Sequence, residues 1–314
     1  MFKLTTIALL LISTLFAENI KPFSKYVSSG FVNDFVVNKD KLYVGNSEGI
    51  IDIFDIKTSK IIQSISLPLL TSSMGKIVPA DILSIDFLNG KILILSVGEN
   101  SYRNVWIYQN NVLKRIIDET KKLTIKEARF INDEKIFFAT LASDIMLYDI
   151  SENYNIYNTH VSDSAMGDIM INQGNKTALL ADESGTVNLI DITSSKTLKK
   201  FSSVNVDHIF KVASSKGTII TAGQDRRVGV YPKNQTPYYI KSNFLVFCVG
   251  ISPSGNIGVY SSGQESDLQL FNIKTKTISS KLVGHTGVVN KITFVSENEI
   301  FSSERDNTIL RWKF

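Results

Sequence analysis

The sequence predicts an all-β protein that folds as a seven-bladed β-propeller, and three observations predict it. Residues that favour strands are abundant, with 18 Phe and 11 Tyr among 314 residues. A short apolar segment that ends on a large side chain recurs seven times along the chain. The spacing of these segments is close to the roughly 40–45 residues of a four-stranded propeller blade.

The repeat becomes visible when the large residue near the end of each segment is used as an anchor. The anchors are Phe54, Tyr108, Tyr148, Ile190, Tyr231, Phe271 and Trp312. Successive anchors are 54, 40, 42, 41, 40 and 41 residues apart. The first interval is therefore the one place where the repeat carries an insertion.

Each repeat unit alternates apolar segments with short turns rich in Gly, Asn, Asp and Ser, which predicts four antiparallel strands per unit. The seventh unit holds only three such segments before the chain ends at Phe314. The segment Pro22–Gly30 precedes the first unit and has the composition of a strand. We expect it to complete the last blade, because the seventh sheet would otherwise present an open edge.

The first seventeen residues differ from the rest of the chain. Lys3 is followed by an apolar run from Leu4 to Phe16 and then by Ala17. This order is typical of a secretory signal peptide, and the run of 13 residues is shorter than the roughly 20 that span a bilayer. We expect cleavage near Ala17 and export to the periplasm. Residues 18–314 would then form a single propeller domain with no stable membrane insertion, whereas an uncleaved membrane anchor is the alternative.

Composition argues against several classes of function. The formal net charge is +4 at pH 7, far from the concentrated positive charge of a nucleic-acid-binding protein. The single cysteine, Cys248, lies in an apolar strand, so no intramolecular disulfide can form and we expect a buried thiol. The chain has three histidines, no haem-attachment motif and no phosphate-binding glycine loop. The sequence therefore predicts no metal, no cofactor and no enzymatic activity.

Acidic residues recur in the turn between the second and third strands of several units. They are Glu48, Glu183, Asp225, Glu265 and Asp306. Equivalent turns of a propeller converge on one face, so these carboxylates could together bind a cation or perform acid–base chemistry. Ordinary turn chemistry is the simpler explanation.

The seventh unit carries a sharper motif. The segment Leu282–Val295 contains the pair Gly284–His285, and Ser302, Asp306 and Trp312 follow it. In these residues the chain resembles a WD40 propeller. The resemblance implies a buried structural network in which His285 lies between Asp306 and Ser302 while Trp312 closes the blade. The spacing fits a blade interior, which argues against a protease triad, and the other units keep the strand pattern without the network.

The whole chain resembles a narrower group, the NapL accessory proteins of bacterial periplasmic nitrate reductases, because it combines export, one propeller domain and few cofactor motifs. The resemblance implies a partner that is another periplasmic protein, such as a nitrate reductase subunit or a maturation factor. Two alternatives stay open. One is a general envelope-assembly scaffold, and the other is a propeller hydrolase or lactonase with a metal in the central channel.

The insertion in the first interval predicts where a partner binds. It divides between two loops, Leu67–Ala80 and Gly98–Asn104, which open on the same face of a WD40-like blade. Surface loops carry function more often than the strands they join, and interfaces use aromatic, Arg and exposed aliphatic residues. The candidate partner-binding residues are Leu69, Leu70, Met74, Ile77, Tyr102 and Arg103, with Arg226, Arg227 and Arg305 from other turns of that face.

Overall fold

The computed structural model describes residues 19–72, 74–263 and 266–314. The predicted signal peptide, residues 1–17, lies outside the described residues, and so does Glu265 of the acidic turn set. Within the described ranges, no helix is long and apolar enough to cross a membrane.

Seven antiparallel sheets form the blades of the propeller, as predicted. Blade 1 contains β3 (Val32–Asn38), β4 (Lys41–Asn46), β5 (Ile50–Asp55) and β6 (Lys60–Ser66). Blade 2 contains β9 (Ile82–Leu88), β10 (Lys91–Val97), β11 (Arg103–Gln109) and β12 (Val112–Ile117). Blade 3 contains β13 (Ile125–Phe130), β14 (Lys135–Thr140), β15 (Asp144–Asp149) and β16 (Tyr154–His160).

The second half of the ring repeats the same strand order. Blade 4 contains β17 (Met166–Ile171), β18 (Thr177–Asp182), β19 (Val187–Asp191) and β20 (Thr197–Phe201). Blade 5 contains β21 (Ile209–Ser215), β22 (Thr218–Gly223), β23 (Arg227–Tyr231) and β24 (Tyr238–Lys241). Blade 6 contains β25 (Val249–Ile251), β26 (Ile257–Ser262), β27 (Asp267–Asn272) and β28 (Ile278–Leu282). Blade 7 contains β29 (Val289–Ser296), β30 (Glu299–Glu304) and β31 (Thr308–Lys313).

The ring is closed by the N-terminal strand β2 (Ser24–Val27), which pairs antiparallel with β31 as the fourth strand of blade 7. The predicted closure is therefore confirmed. Tyr26 faces the interior, where its ring lies 5.7 Å from that of Phe54 and 5.8 Å from that of Phe301. The first blade and the last blade thus share one apolar core, to which β2 contributes directly.

Three local features were not predicted. A short strand, β1 (Asn19–Ile20), runs parallel to β28 as a fifth strand of blade 6. In the inserted loop, β7 (Leu70–Thr71) pairs with β8 (Ile77–Val78) to form a small hairpin. Two single-turn 3-10 helices, Glu99–Ser101 and Glu119–Lys121, flank β11 and β12.

The innermost strand of each blade lines the central channel, and consecutive innermost strands contact one another all around the ring. A register shift that marks a β-bulge occurs near the start of the innermost strand in blades 1, 2, 3, 4, 5 and 7. A bulge re-aims the residue beside it. In each of these six blades one residue is thereby placed at an equivalent position on the channel wall.

Candidate functional site

The inserted loop Leu67–Ala80 presents three of its large apolar side chains to solvent. Leu69 is 63% exposed, Met74 81% and Ile77 65%. They lie on and beside the β7–β8 hairpin, which pairs Leu70 with Val78 and Thr71 with Ile77. We call the segment Leu69–Val78 the docking hairpin; its Ser73 lies outside the described residues.

The docking hairpin is anchored to the ring at its base. Leu67 and Ala80 are buried in the core between blades 1 and 2, and Leu70 packs against the same core while remaining partly exposed. Leu67 N–H also donates to Gly49 O at 2.8 Å. Leu70, predicted to contact a partner, therefore supports the hairpin that carries the three exposed side chains.

The second predicted loop is fastened to the next blade by Arg103. The Arg103 Nε donates to Ile125 O at 3.0 Å, and Nη1 donates to the backbone carbonyls of Ser101 and Tyr102. Burial lowers the pKa of this guanidinium, with Asp81 opposing the shift. Three carbonyl groups therefore already accept from Nε and Nη1 of Arg103, which was predicted to contact a partner. Tyr102 beside it is half-buried.

The other predicted arginines do not join the docking hairpin in one patch. Arg226 lies in the turn before the third strand of blade 5 and Arg227 begins that strand, across the ring from blades 1 and 2, while Arg305 belongs to blade 7. Arg226 and Arg305 are exposed. Arg227 donates to Val204 O at 2.8 Å and its guanidinium lies 4.5 Å from the centre of the Tyr239 ring. The predicted arginines therefore belong to blades 5 and 7, whereas the docking hairpin joins blades 1 and 2.

The Gly-His motif forms a buried network in blade 7, with one change of partner. The Nε2 of His285 lies 2.6 Å from the Oγ of Ser302, and Trp312 Nε1 donates to that same oxygen at 2.8 Å. The acidic partner is Glu304, whose Oε2 lies 3.5 Å from the Nδ1 of His285. Asp306 does not take the place that the resemblance implied.

The reason is the position of the two carboxylates in the blade. Asp306 belongs to the turn, and it accepts hydrogen bonds from the N–H and the hydroxyl of Thr308. Glu304 ends β30 and is buried, and it accepts from Thr286 N–H at 2.8 Å and from Gly287 N–H. Burial alone would raise the pKa of Glu304, but His285 and these backbone donors lower it to about 2.

Related networks occur in blades that lack the Gly-His pair, so the expectation that only the seventh unit carries one is wrong. In blade 5, Thr221 Oγ1 donates to Asn205 Oδ1 at 2.5 Å, and Asn205 Nδ2 donates to Asp225 Oδ1 at 3.1 Å. In blade 1, Asp52 accepts from Ser28 and Ser64. Asn and Ser can replace the His of the motif because the network needs only a group that bridges strand and turn.

The central channel contains a ring of charge that sequence reasoning missed. One equivalent position of each blade carries, in chain order, Asp34, Ser84, Glu127, Asp168, Lys211, Cys248 and Lys291; six of them lie beside a bulge, and Cys248 takes the same position because Ser261 N–H donates to its carbonyl. In each unit the anchor pairs with a residue of the second strand, and the residue three positions after that partner pairs with the ring residue. Aligning the units on their anchors would therefore have revealed this ring. The residue at this position is acidic in some units, basic in others and neutral in the rest. A search for one recurring residue type therefore does not find it.

The channel carboxylates join consecutive blades. Asp34 accepts from Ile85 N–H at 2.9 Å, and Asp168 accepts from Val212 N–H at 2.9 Å. Asp86, two residues beyond the ring position of blade 2, accepts from Phe130 N–H at 2.7 Å. Each bond links one blade to the innermost strand of the next, so these carboxylates hold the ring together.

Cations neutralise most of the channel charge. Lys211 Nζ lies 2.9 Å from Asp168, Lys291 Nζ 2.5 Å from Asp34, and Arg129 Nη2 2.7 Å from Glu127. Burial would raise the pKa of Asp34, but Lys291 and Arg129 hold it below its ordinary value. Burial raises the pKa of Asp86 and of Glu127 although Arg129 lies close to both.

A cavity of about 1130 Å³ extends from this charged ring towards the turns that join first and second strands in blades 4, 5 and 6. Its inner wall carries the paired charges and the buried thiol of Cys248, whose pKa burial raises to about 12. In the part of the chain that the structure describes, no group of three or more His, Cys, Asp or Glu side chains is arranged to hold a metal ion. The channel charges that the structure describes are paired with one another, as in Lys211–Asp168 and Lys291–Asp34.

No family model matches the chain. Among solved structures, the chain is similar to the Cps50 (Swd1) β-propeller domain of Myceliophteria thermophila, with a TM-score of 0.73 and 14% sequence identity. The match covers 95% of this chain and 99% of that one. At this identity the likeness establishes the fold, which is a seven-bladed, WD40-like propeller. Such a fold is consistent with a protein-binding scaffold.

Proposed function

We propose that the chain is an exported, non-enzymatic, protein-binding propeller that supports or matures a periplasmic nitrate reductase, and that the partner docks on the docking hairpin. The observation that carries the proposal is the exposure of Leu69, Met74 and Ile77 on an element that interrupts the blade repeat. Apolar side chains clustered on one surface element are typical of protein-interaction sites.

The hairpin is suited to binding because it is held in place before a partner arrives. Leu70 packs on the core of blades 1 and 2, and Ser72 N–H donates to Lys76 O at 2.8 Å across the loop. A pre-ordered element loses less conformational entropy on association than a disordered one. Little of the binding free energy that the three exposed side chains supply is therefore lost in ordering the hairpin.

Location and partner rest on the sequence. The order Lys3, apolar run and Ala17 supports export and cleavage. The nitrate reductase assignment is supported by the resemblance to the NapL accessory proteins. The solved propeller contributes only the fold, because its identity to this chain is 14%.

A pull-down from periplasmic extract of the native cells, grown on nitrate, tests the proposal. The bait is the tagged chain 18–314, compared with a triple variant carrying Leu69→Ala, Met74→Ala and Ile77→Ala. We expect mass spectrometry to find the molybdenum-containing reductase subunit with the first bait and not with the variant.

A matched control separates the hairpin from general surface stickiness. Ile62, Val112 and Leu198 are comparably exposed apolar residues on the outer strands of blades 1, 2 and 4. Their triple alanine variant is expected to capture the reductase as the unaltered chain does. Capture of envelope-assembly factors in place of the reductase would favour the general scaffold, and equal capture by all three baits would refute the role of the hairpin.

A further inference from the structure

One face of the ring has an uneven distribution of charge. We call it the lower face, and it holds the turns that join first to second strands and third to fourth strands of the blades. In blades 6, 7 and 1, which are consecutive around the closed ring, seven exposed lysines lie in these turns or at the strand ends beside them. We call these residues the lysine crescent: Lys39, Lys41, Lys57, Lys60, Lys274, Lys276 and Lys313.

Few carboxylates oppose the lysine crescent. The same turns contain Asp40, Asp55 and Glu297, while the carboxylate of Glu299 is bound by Arg311 at 2.7 Å. Seven lysines against three carboxylates leave these turns with a net side-chain charge of +4. No ion pair among the described residues involves a lysine of the crescent. Their positive charge is therefore presented to solvent.

The equivalent turns on the other side of the ring lack this excess. In blades 2, 3 and 4 they carry four lysines and five carboxylates, which is a net side-chain charge of −1. Blade 5, between the two groups, carries Lys216 and Lys233. The lysines of blades 2, 3 and 4 are Lys91, Lys135, Lys176 and Lys196, and the carboxylates are Asp133, Glu134, Asp149, Glu152 and Asp191.

An exposed aromatic ring lies beside the crescent. Phe23 is 60% exposed, and its N–H donates to Arg311 O at 2.7 Å. The Nζ of Lys313 lies 4.2 Å from the centre of the Phe23 ring. Because β31 ends at Lys313 on the lower face, these contacts place Phe23 at the lower end of blade 7. An apolar aromatic side chain among cations is typical of elements that bind at a membrane interface.

The composition of this surface favours a membrane over a protein partner. Protein interfaces are enriched in Arg and depleted in Lys. The crescent consists of lysines, and the neighbouring Arg311 is already bound by Glu299. An anionic bilayer attracts clustered lysines through its surface potential and requires no complementary shape.

We propose that the lysine crescent binds the surface of a membrane that contains anionic phospholipids, with Phe23 inserted among the headgroups. The docking hairpin connects the fourth strand of blade 1 to the first strand of blade 2, so it lies on the opposite face of the ring. A ring bound through the crescent therefore holds the docking hairpin away from the membrane. The proposal is independent of the nitrate reductase assignment.

Co-sedimentation of the chain 18–314 with vesicles tests the crescent. We expect binding to vesicles of phosphatidylglycerol and phosphatidylcholine, weaker binding as the salt concentration rises, and no binding to phosphatidylcholine alone. The triple variant Lys57→Ala, Lys274→Ala, Lys313→Ala removes one lysine from each of the three blades. A lysine near an anionic surface contributes roughly fivefold to binding, so this variant should bind roughly 100-fold more weakly.

A control variant with the same change in net charge separates the crescent from the charge of the whole chain. Lys135→Ala, Lys176→Ala, Lys196→Ala alters the lower face of blades 3 and 4, and it is expected to bind nearly as the unaltered chain does. An equal loss in both variants, or no binding to the anionic vesicles, would overturn the proposal. Binding of soluble polyglutamate through the crescent without binding of vesicles would assign this surface to an acidic protein and would also overturn it.

Tryptophan fluorescence tests the orientation of the bound ring. The emission of Phe23→Trp is expected to shift to shorter wavelength when anionic vesicles are added, because the indole enters the headgroup region. Val206→Trp is the control, since Val206 is 68% exposed in the connection between blades 4 and 5 on the opposite face. Trp106 and Trp312 are buried and give a constant background. An unshifted emission of Phe23→Trp in the vesicle-bound protein, or an equal shift at both positions, would overturn the proposed orientation.

Discussion

Replacing Tyr26 tests how strongly the N-terminal strand closes the ring. Tyr26 is 1% exposed and lies between Phe54 and Phe301, which belong to the two blades that meet at the closure. Its hydroxyl donates to Ile56 O at 2.8 Å. Tyr26→Ala removes both the ring and this hydrogen bond, whereas Tyr26→Phe removes the hydrogen bond alone.

The expected magnitudes follow from these contacts. Truncation of a buried aromatic side chain to alanine costs about 3–5 kcal/mol, and a lost buried hydrogen bond adds about 1 kcal/mol. We therefore expect Tyr26→Ala to lower the free energy of unfolding by about 4–6 kcal/mol and Tyr26→Phe by about 1 kcal/mol. Because domains are stable by only about 5–15 kcal/mol, the alanine variant should lose a large part of the stability of the ring.

Urea unfolding, followed by tryptophan fluorescence, measures both changes. Trp312 is buried in β31, the strand that β2 pairs with, so it reports on the closure. Val27→Ala is the control, because Val27 lies on the same strand and is 49% exposed. A loss below 1 kcal/mol in Tyr26→Ala, or an equal loss in Val27→Ala, would refute the closing role of β2.

Three further predictions concern the buried charges and the thiol. The folded-state pKa of Glu304 lies near 2, below the ordinary 4.5, so its stabilising effect should be complete above about pH 4.5 and be lost as the pH falls towards 2. Glu304→Gln should flatten that part of a stability-versus-pH curve measured by urea unfolding. Lys291→Met should lower the free energy of unfolding by about 2 kcal/mol, less than the about 3–5 kcal/mol of a fully buried pair, because Lys291 is partly exposed. Adding Asp34→Asn should recover part of that loss. Cys248 should react with a thiol reagent only after unfolding, since its thiol is buried and its pKa is about 12.

Each of these predictions has a result that contradicts it. An unchanged pH profile in Glu304→Gln would show that the carboxylate of Glu304 does not stabilise the fold. If Asp34→Asn adds its own loss to that of Lys291→Met, the two residues are not coupled. Rapid labelling of Cys248 in the native protein would show that the channel admits the reagent.

The ring and its closure could be predicted from the sequence because both depend on strong periodic signals. The anchors fall at nearly constant spacing, and the missing strand of the seventh unit has one evident source in the segment around Tyr26. These signals depend on the alternation of apolar and polar residues and on the length of the repeat unit. Both persist when individual residue types change. For the same reason the inserted loop was found, although its hairpin was not.

The details of the site depend on three-dimensional neighbours that spacing does not reveal. Arg103 was predicted to contact a partner, and its Nε and Nη1 donate to carbonyls of blade 3 and of its own loop. His285 pairs with Glu304 because that residue ends a strand and points inward, whereas Asp306 turns back to Thr308. The position of a residue within the repeat unit predicts the strand or turn in which it lies. Its hydrogen-bond and ion-pair partners depend on the local direction of the backbone.

The charged channel shows a different limit. Asp168 and Lys211 occupy equivalent positions in adjacent blades and bind each other at 2.9 Å. When the units are compared by residue type, an acid in one unit and a base in the next at the same repeat position suggest that the position has no common role. In the ring they are neighbours, so the difference in charge between adjacent units is what stabilises the contact.

The most direct test of the central claim is the dissociation constant of the purified chain 18–314 with the purified nitrate reductase, measured by biolayer interferometry. Truncating an apolar anchor of an interface costs about 1 kcal/mol, so the Leu69→Ala, Met74→Ala, Ile77→Ala variant should lose about 3 kcal/mol, or roughly 100-fold in affinity. The outer-strand control variant should bind as the unaltered chain does. A dissociation constant that is the same for the hairpin variant and the unaltered chain would contradict the claim.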